Sequence, residues 1–88
     1  MTAWSVEFTS DAEEDLAKID RMSRKRIIQK LEWLGNNFDS VFPIPLHGAY
    51  REFYKLRVGD WRIFYTVGWK KRCITVCYID RRDKVYKA

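Results

Sequence analysis

The segment KLRVGDWRIFY, Lys55 to Tyr65, constrains the fold more than any other stretch of the chain. Gly59-Asp60 suits a two-residue primed turn, and alternating residues flank it on both sides. Folding about that pair sets Val58 against Trp61, Arg57 against Arg62, Leu56 against Ile63, Lys55 against Phe64 and Tyr54 against Tyr65. Side chains alternate in facing along a strand. Tyr54, Leu56, Val58, Trp61, Ile63 and Tyr65 therefore share one face, the side expected to carry the core. Phe53, Lys55, Arg57, Arg62, Phe64 and Thr66 share the other. Arg57 and Arg62 become direct cross-strand neighbours, and like charges in that position repel. An anion held between them would relieve the repulsion. The alternative is a solvated sheet face, with the cations lying over Phe53 and Phe64 and pairing with Asp80 and Asp83.

Upstream of the hairpin the pattern changes. TAWSVEFT alternates, with Trp4, Val6 and Phe8 on one side, and reads as a half-buried strand. Ser10 followed by Glu13 forms a capping box and predicts a helix start. Ala12, Leu16 and Ile19 give its apolar stripe, and its acidic face reads as solvated. Ser23 is the expected N-cap of a second helix, joined to the first through DRM. Ile27, Leu31 and Leu34 form its stripe, and Gly35 is the expected stop. Arg24, Lys25, Arg26 and Lys30 make a basic cluster on it. Residues 36–50 are a poor helix or strand, because Pro43 and Pro45 break both, although a short helical turn fits there.

Downstream, RCITVCYID reads as a third strand after the GWKKR turn, and a short segment around Lys84 to Tyr86 ends the chain. Strict alternation points Ile74, Val76 and Tyr78 to the core, and Cys73, Thr75, Cys77, Ile79 and Arg81 to the open face. Arg81 would then stand at the rim of a shallow basic depression with aromatic walls, which suits a phosphate backbone and stacked bases. The order β-α-α-β-β-β predicts one small α+β domain over residues 1–88: an antiparallel sheet with an N-terminal helical hairpin on one face.

Charge narrows the function. With 17 Lys and Arg against 12 Asp and Glu, the net charge of +5 favours an anionic partner such as nucleic acid. No apolar run approaches a membrane span and MTAWSVEF is no signal peptide, so a cytoplasmic location is the default. Cys73 and Cys77 on one strand lie about 13 Å apart, too far for a disulfide or a shared metal. With His47 as the single histidine, no zinc set assembles, and neither metal nor cofactor is expected.

Taken together, the capped helical hairpin, PLHG at 45–48, YKLRVGDWRIFY at 54–65 and IDRRDKVYK at 79–87 resemble the RelE/ParE toxin superfamily, nearer to its RelE branch. The resemblance covers almost the whole chain. It implies the toxin of a type II toxin–antitoxin pair, with a cognate antitoxin protein as partner. It further implies an endoribonuclease that cuts mRNA in the ribosomal A site without a cofactor. On this resemblance Lys55, Arg62, Arg81 and Tyr86 are the catalytic set, with Arg82 the alternative equivalent of Arg81. Arg51, Arg57 and Arg82 would contact RNA, and Arg51 or Arg57 would replace a lysine that some relatives carry where this chain has Phe53. Where other members use a C-terminal histidine, Asp80 stands nearby. Two other readings fit the same fold: a ParE-like inhibitor of DNA gyrase, which acts by binding, and a non-catalytic RNA-binding domain.

The implied chemistry is attack of a 2′-OH on the neighbouring phosphorus. It needs a base, charge stabilisation on the phosphorane and help for the departing 5′-oxygen. Lys55, beside Arg57 and Arg62, is the expected base. Arg62 would hold the phosphate, Arg81 would assist the leaving oxygen and Tyr86 would orient or stack on the substrate. His47, in the Pro-flanked loop, is expected to be peripheral.

Overall fold

The computed structural model describes residues 3–81. Its elements are β1 (Ser5–Phe8), α1 (Ser10–Ala17), α2 (Arg21–Asn37), β2 (Ile44–Pro45), β3 (Tyr54–Val58), β4 (Trp61–Gly68) and β5 (Cys73–Arg81), with 3-10 turns at Phe38–Ser40 and Gly48–Tyr50. The strands form one sheet in the order β1-β5-β4-β3-β2. The two helices cover one face, so the α+β architecture is as expected. The sheet, however, is mixed. β1 runs parallel to β5, with Val6 opposite Ile74 and Phe8 opposite Val76. Pairing between strands so distant in sequence carries no turn signal, so only the packed fold reveals it. β2 is an added two-residue edge strand, in which Pro45 pairs with Tyr54. Proline is tolerated there because an edge strand leaves one side of its backbone unpaired.

Both helix caps lie earlier than the sequence suggests. Thr9, not Ser10, caps α1: its Oγ1 accepts from Ala12 N at 3.1 Å. Asp20, not Ser23, caps α2, accepting from Ser23 N at 3.0 Å. Each is a short polar side chain in extended backbone just before the first helical residue, as an N-cap requires. Gly35 does not stop α2 but lies inside it. Trp4 N donates to Gly35 O at 2.9 Å, and a Cβ on Gly35 would come within 2.9 Å of Trp4 O. The glycine lets β1 approach the helix backbone.

Between helices and sheet sit Trp4, Ala12, Ile19, Ile27, Leu31, Leu34, Phe38, Ile63, Tyr65, Ile74, Val76 and Ile79. Trp4 also packs on Phe38 with ring centroids 4.7 Å apart and on Trp69 at 5.6 Å. Asp39 ties this corner together, accepting from Trp4 Nε1 at 3.0 Å and from Arg72 at 2.7 Å. The Arg72 hydrogen bond, followed by that of Trp4, holds the Asp39 carboxyl below its ordinary range. Arg72 closes the β4–β5 turn in the left-handed region, at φ 55°.

One irregularity decides how the sheet presents its side chains. The β4–β5 ladder pairs Phe64 with Tyr78 but Tyr65 with Val76, so Cys77 is an extra residue on β5. This is a β-bulge, which lets two residues of one strand oppose one of the other. It lies just past the end of β1, where β5 loses its outer partner. Helix-end groups replace that partner. Thr9 Oγ1 donates to Cys77 O at 3.2 Å, and Asp15 Oδ2 accepts from Ile79 N at 3.0 Å. Asp15, expected to be solvated, is thus bound to the sheet.

Candidate nucleic-acid interface

The hairpin has the register derived from its turn: Tyr54–Tyr65, Lys55–Phe64, Leu56–Ile63, Arg57–Arg62 and Val58–Trp61 are the cross-strand pairs. Gly59 takes φ 58°, the left-handed conformation that favours glycine in such a turn. The core-side residues pack on the helices as expected. Lys55, Arg57 and Arg62 share the open face, with Lys55 and Arg62 half-buried and Arg57 exposed. A like-charge cross-strand pair costs on the order of 0.2–1 kcal/mol. Full burial of one side chain such as Ile63 returns about 1.5–3 kcal/mol, so the hairpin tolerates the pair.

The open face is not a bare polar surface. Phe64, which points to it, is fully buried. Phe53 and Tyr78 explain part of that cover. They flank β4 on opposite sides, where β3 and β5 stand about 10 Å apart. Their ring centroids are nevertheless only 6.2 Å apart. The two rings therefore reach toward each other above β4. Lys55, opposite Phe64, and the Arg57–Arg62 pair share this face, and Arg62 NH1 reaches back to Gly59 O at 3.5 Å and Trp61 O at 3.4 Å. Beyond the aromatic platform lie the small residues Thr66, Thr75 and Cys77. Burial, ahead of any other influence, pushes the Cys77 thiol up, so it stays protonated near neutrality and is no nucleophile there.

The bulge corrects the expected facing of β5 beyond Cys77. Tyr78 lies on the open face, 39% exposed, and Ile79 turns into the core. Asp80 then pairs with Arg62, and Arg81 pairs with Trp61 on the helix side. The Arg81 guanidinium lies 5.4 Å from the Trp61 ring centroid and lines a cleft with Lys18, Asp20 and Arg26. Arg81 is thus on the opposite face from Lys55 and Arg62, not at the rim of their depression. Strict alternation missed this because Cys77, Tyr78 and Ile79 carry no glycine or turn residue to announce a bulge. The same slip brings Tyr78 and Asp80, which strict alternation does not assign to the open face, to the candidate site.

The remaining expected residues are dispersed. Arg51 is exposed at the end of the Gly48–Tyr50 turn, and His47 is exposed at its start. Arg82 and Tyr86 lie outside the described residues. Among the described residues no cluster of His, Cys, Asp and Glu could hold a metal, and no helix is long and apolar enough to cross a membrane.

This geometry has known relatives. The family model described as the ParE toxin of the type II toxin–antitoxin system, parDE, matches residues 6–86. The chain belongs to the RelE/ParE toxin superfamily. Within it, a relative from Methanocaldococcus jannaschii bearing the toxin name RelE1 is 30% identical, over 96% of each chain. The fold matches the toxin–antitoxin complex RelBE2 of Mycobacterium tuberculosis at a TM-score of 0.83 and 22% identity, covering 93% of this chain and 94% of the other. It matches the isolated Escherichia coli RelE toxin at 0.73 and 22%, covering 96% and 92%. It also matches the archaeal RelE–RelB complex of Pyrococcus horikoshii at 0.73 and 19%, covering 99% and 100%. At these identities the superfamily membership comes from the family model and the RelE1 relative, and the structures establish the fold.

Proposed function

We propose that this toxin is an endoribonuclease that cuts mRNA on the ribosome, with Lys55, Arg57 and Arg62 as its phosphate-binding group. The observation that carries the reading is that all three share the open face of the sheet with Phe53, Phe64 and Tyr78. Cations beside aromatic rings match the two parts of a single-stranded nucleic acid, phosphate and base. Arg62 stabilises the charge that develops on the phosphorane. Lys55, two residues along β3 from Arg57, takes the proton from the 2′-OH and is the base. Asp80, opposite Arg62 on the same face, is the second group able to accept that proton. With Arg81 on the helix side, Arg82 becomes the arginine assigned to the leaving oxygen, and Tyr86 to substrate stacking. No histidine serves as acid, so the intrinsic rate is low and the ribosome supplies the positioning. A cognate antitoxin neutralises the toxin by binding it, as the RelBE2 and RelE–RelB complexes illustrate for their own chains.

The ParE family model favours a second reading, inhibition of DNA gyrase by binding. Induced expression in bacteria separates the two. Growth arrest with mRNA cut inside translated codons supports the nuclease. Arrest with intact mRNA and blocked supercoiling supports the gyrase inhibitor. Rescue by a short neighbouring reading frame would identify the antitoxin.

A further inference from the structure

The second helix carries a basic stripe that the proposed nuclease site does not use. Its basic cluster divides in the fold. Arg24 turns back, and its NH2 group donates to Ile19 O at 2.9 Å. Arg26 and Lys30 instead share one helix face with Gln29 and Trp33, at the i, i+3, i+4, i+7 spacing of a single stripe. Lys30 Nζ lies 4.1 Å from the centroid of Trp33, a ring that is 46% exposed. Arg26, Gln29, Lys30 and Trp33 line a shallow groove against Val58. Arg26 and Val58 also line the neighbouring cleft of about 460 Å³, which runs past Lys18 and Asp60 to Trp61 and Arg81.

The two depressions adjoin at Arg26 and Val58 and together make a track along the helix side. At each end a cation sits over a tryptophan, Lys30 over Trp33 and Arg81 over Trp61. Lys18 and Arg26 stand between. Two carboxylates border the track, Asp20 and Asp60. Asp20 is committed to capping α2, and its hydrogen bonds from Ser23 hold its carboxyl below the ordinary range. The track passes the Gly59-Asp60 turn, the tip that Arg62 also approaches, with its NH1 3.5 Å from Gly59 O.

We propose that this track is a second RNA-backbone contact surface, on the helix side of the sheet and separate from the Lys55–Arg62 face. Charge complementarity selects the occupant. Four cations spaced along an extended groove suit a polyanion, and cation-capped tryptophans at its ends suit bases beside phosphates. An RNA passing over the hairpin tip would meet both surfaces. The proposal rests on the reading of this toxin as RNA-directed, and the experiment separates the two.

Binding of the full-length protein to a single-stranded 2′-O-methyl RNA, which lacks the attacking hydroxyl, is measured by fluorescence anisotropy over a range of salt. The variant Arg26→Ala/Lys30→Ala changes only side chains outside the core, and circular dichroism checks that it stays folded. Its affinity should fall about tenfold or more at low salt, and its salt slope should flatten by about 1.4, which is roughly 0.7 for each phosphate left without its cation. Trp33→Ala should weaken binding while Trp33→Phe restores it, because stacking needs only a ring. Unchanged affinity and slope in the double variant overturn the proposal. A response to Arg62→Ala alone does so too, and leaves the nuclease reading standing. A response to the double variant without one to Arg62→Ala supports the track and removes the open face from RNA binding. Capture of polyglutamate through Arg26 and Lys30, with RNA binding unaltered, would assign the track to an acidic protein and overturn it.

Discussion

Arg62 faces Asp80 across the β4–β5 ladder, whereas Arg81 faces Trp61 on the other side of the sheet. One extra residue, Cys77, separates these outcomes from the strictly alternating arrangement. It makes the two arginines unequal in what their loss should do.

Arg62→Ala should lower mRNA cleavage by about 10²–10³-fold, the usual cost of removing one group that stabilises transition-state charge. Arg81→Ala should cost only up to about tenfold, through the weakened RNA contact of the helix-side track, since its guanidinium does not reach the face of Arg62. Growth assays after induction, with primer extension on a reporter mRNA and circular dichroism on both proteins, measure the difference. Equal loss in the two variants would refute the facing assigned here.

Phe64 is fully buried on a face otherwise rimmed by cations. Truncating a buried phenylalanine costs about 3–5 kcal/mol, which is comparable with the whole stability of many small domains. Phe64→Ala should therefore unfold a large part of the population, and Phe64→Leu should retain a cooperative transition at lower urea. Urea titration followed by tryptophan fluorescence reads both. A wild-type midpoint for Phe64→Ala would mean that the platform is not packed.

Gly35→Ala tests whether this glycine serves close approach rather than termination. Alanine is favoured over glycine within a helix by about 1 kcal/mol. The added Cβ meets Trp4 O at 2.9 Å and Val6 Cγ2 at 3.2 Å. Overpacking of that kind costs about 1–3 kcal/mol, so the expected net effect is destabilisation. A raised urea midpoint would show that β1 can retreat without loss.

Two groups give the stability a pH signature. The Asp39 carboxyl is depressed in the folded chain, so its contribution is present above the ordinary value of 3.8 and disappears as pH falls through the lower folded value. Asp39→Asn should remove that acid dependence and lower stability at neutral pH. At the alkaline end, burial, with a smaller effect of Tyr54, pushes the Tyr65 hydroxyl up to about 12 from 10.0. Its contribution is complete below 10.0 and is lost as pH rises toward about 12. Tyr65→Phe should flatten that alkaline limb in thermal melts taken across the range. An unaltered alkaline limb in Tyr65→Phe would assign the loss to other groups.

What the sequence determined by itself was local and periodic. Gly59-Asp60 set the hairpin register and the two faces of β3 and β4, because a two-residue turn leaves no freedom of pairing. The stripes Ala12, Leu16, Ile19 and Ile27, Leu31, Leu34 named the helical half of the core, because a 3.6-residue period sets such residues on one face. The tertiary structure decided what depends on distant partners. Gly35 works inside α2 because β1 arrives there, and β1 lies beside β5 although Val6 and Ile74 stand near opposite ends of the chain. Above all, Thr9 and Asp15 take over the backbone of β5 where β1 ends, and the bulge at Cys77 re-aims everything beyond it. Because strand facing has a period of two, a single inserted residue moves a side chain across the whole sheet. That slip gave Asp80 to the cationic face and Arg81 to the helix side.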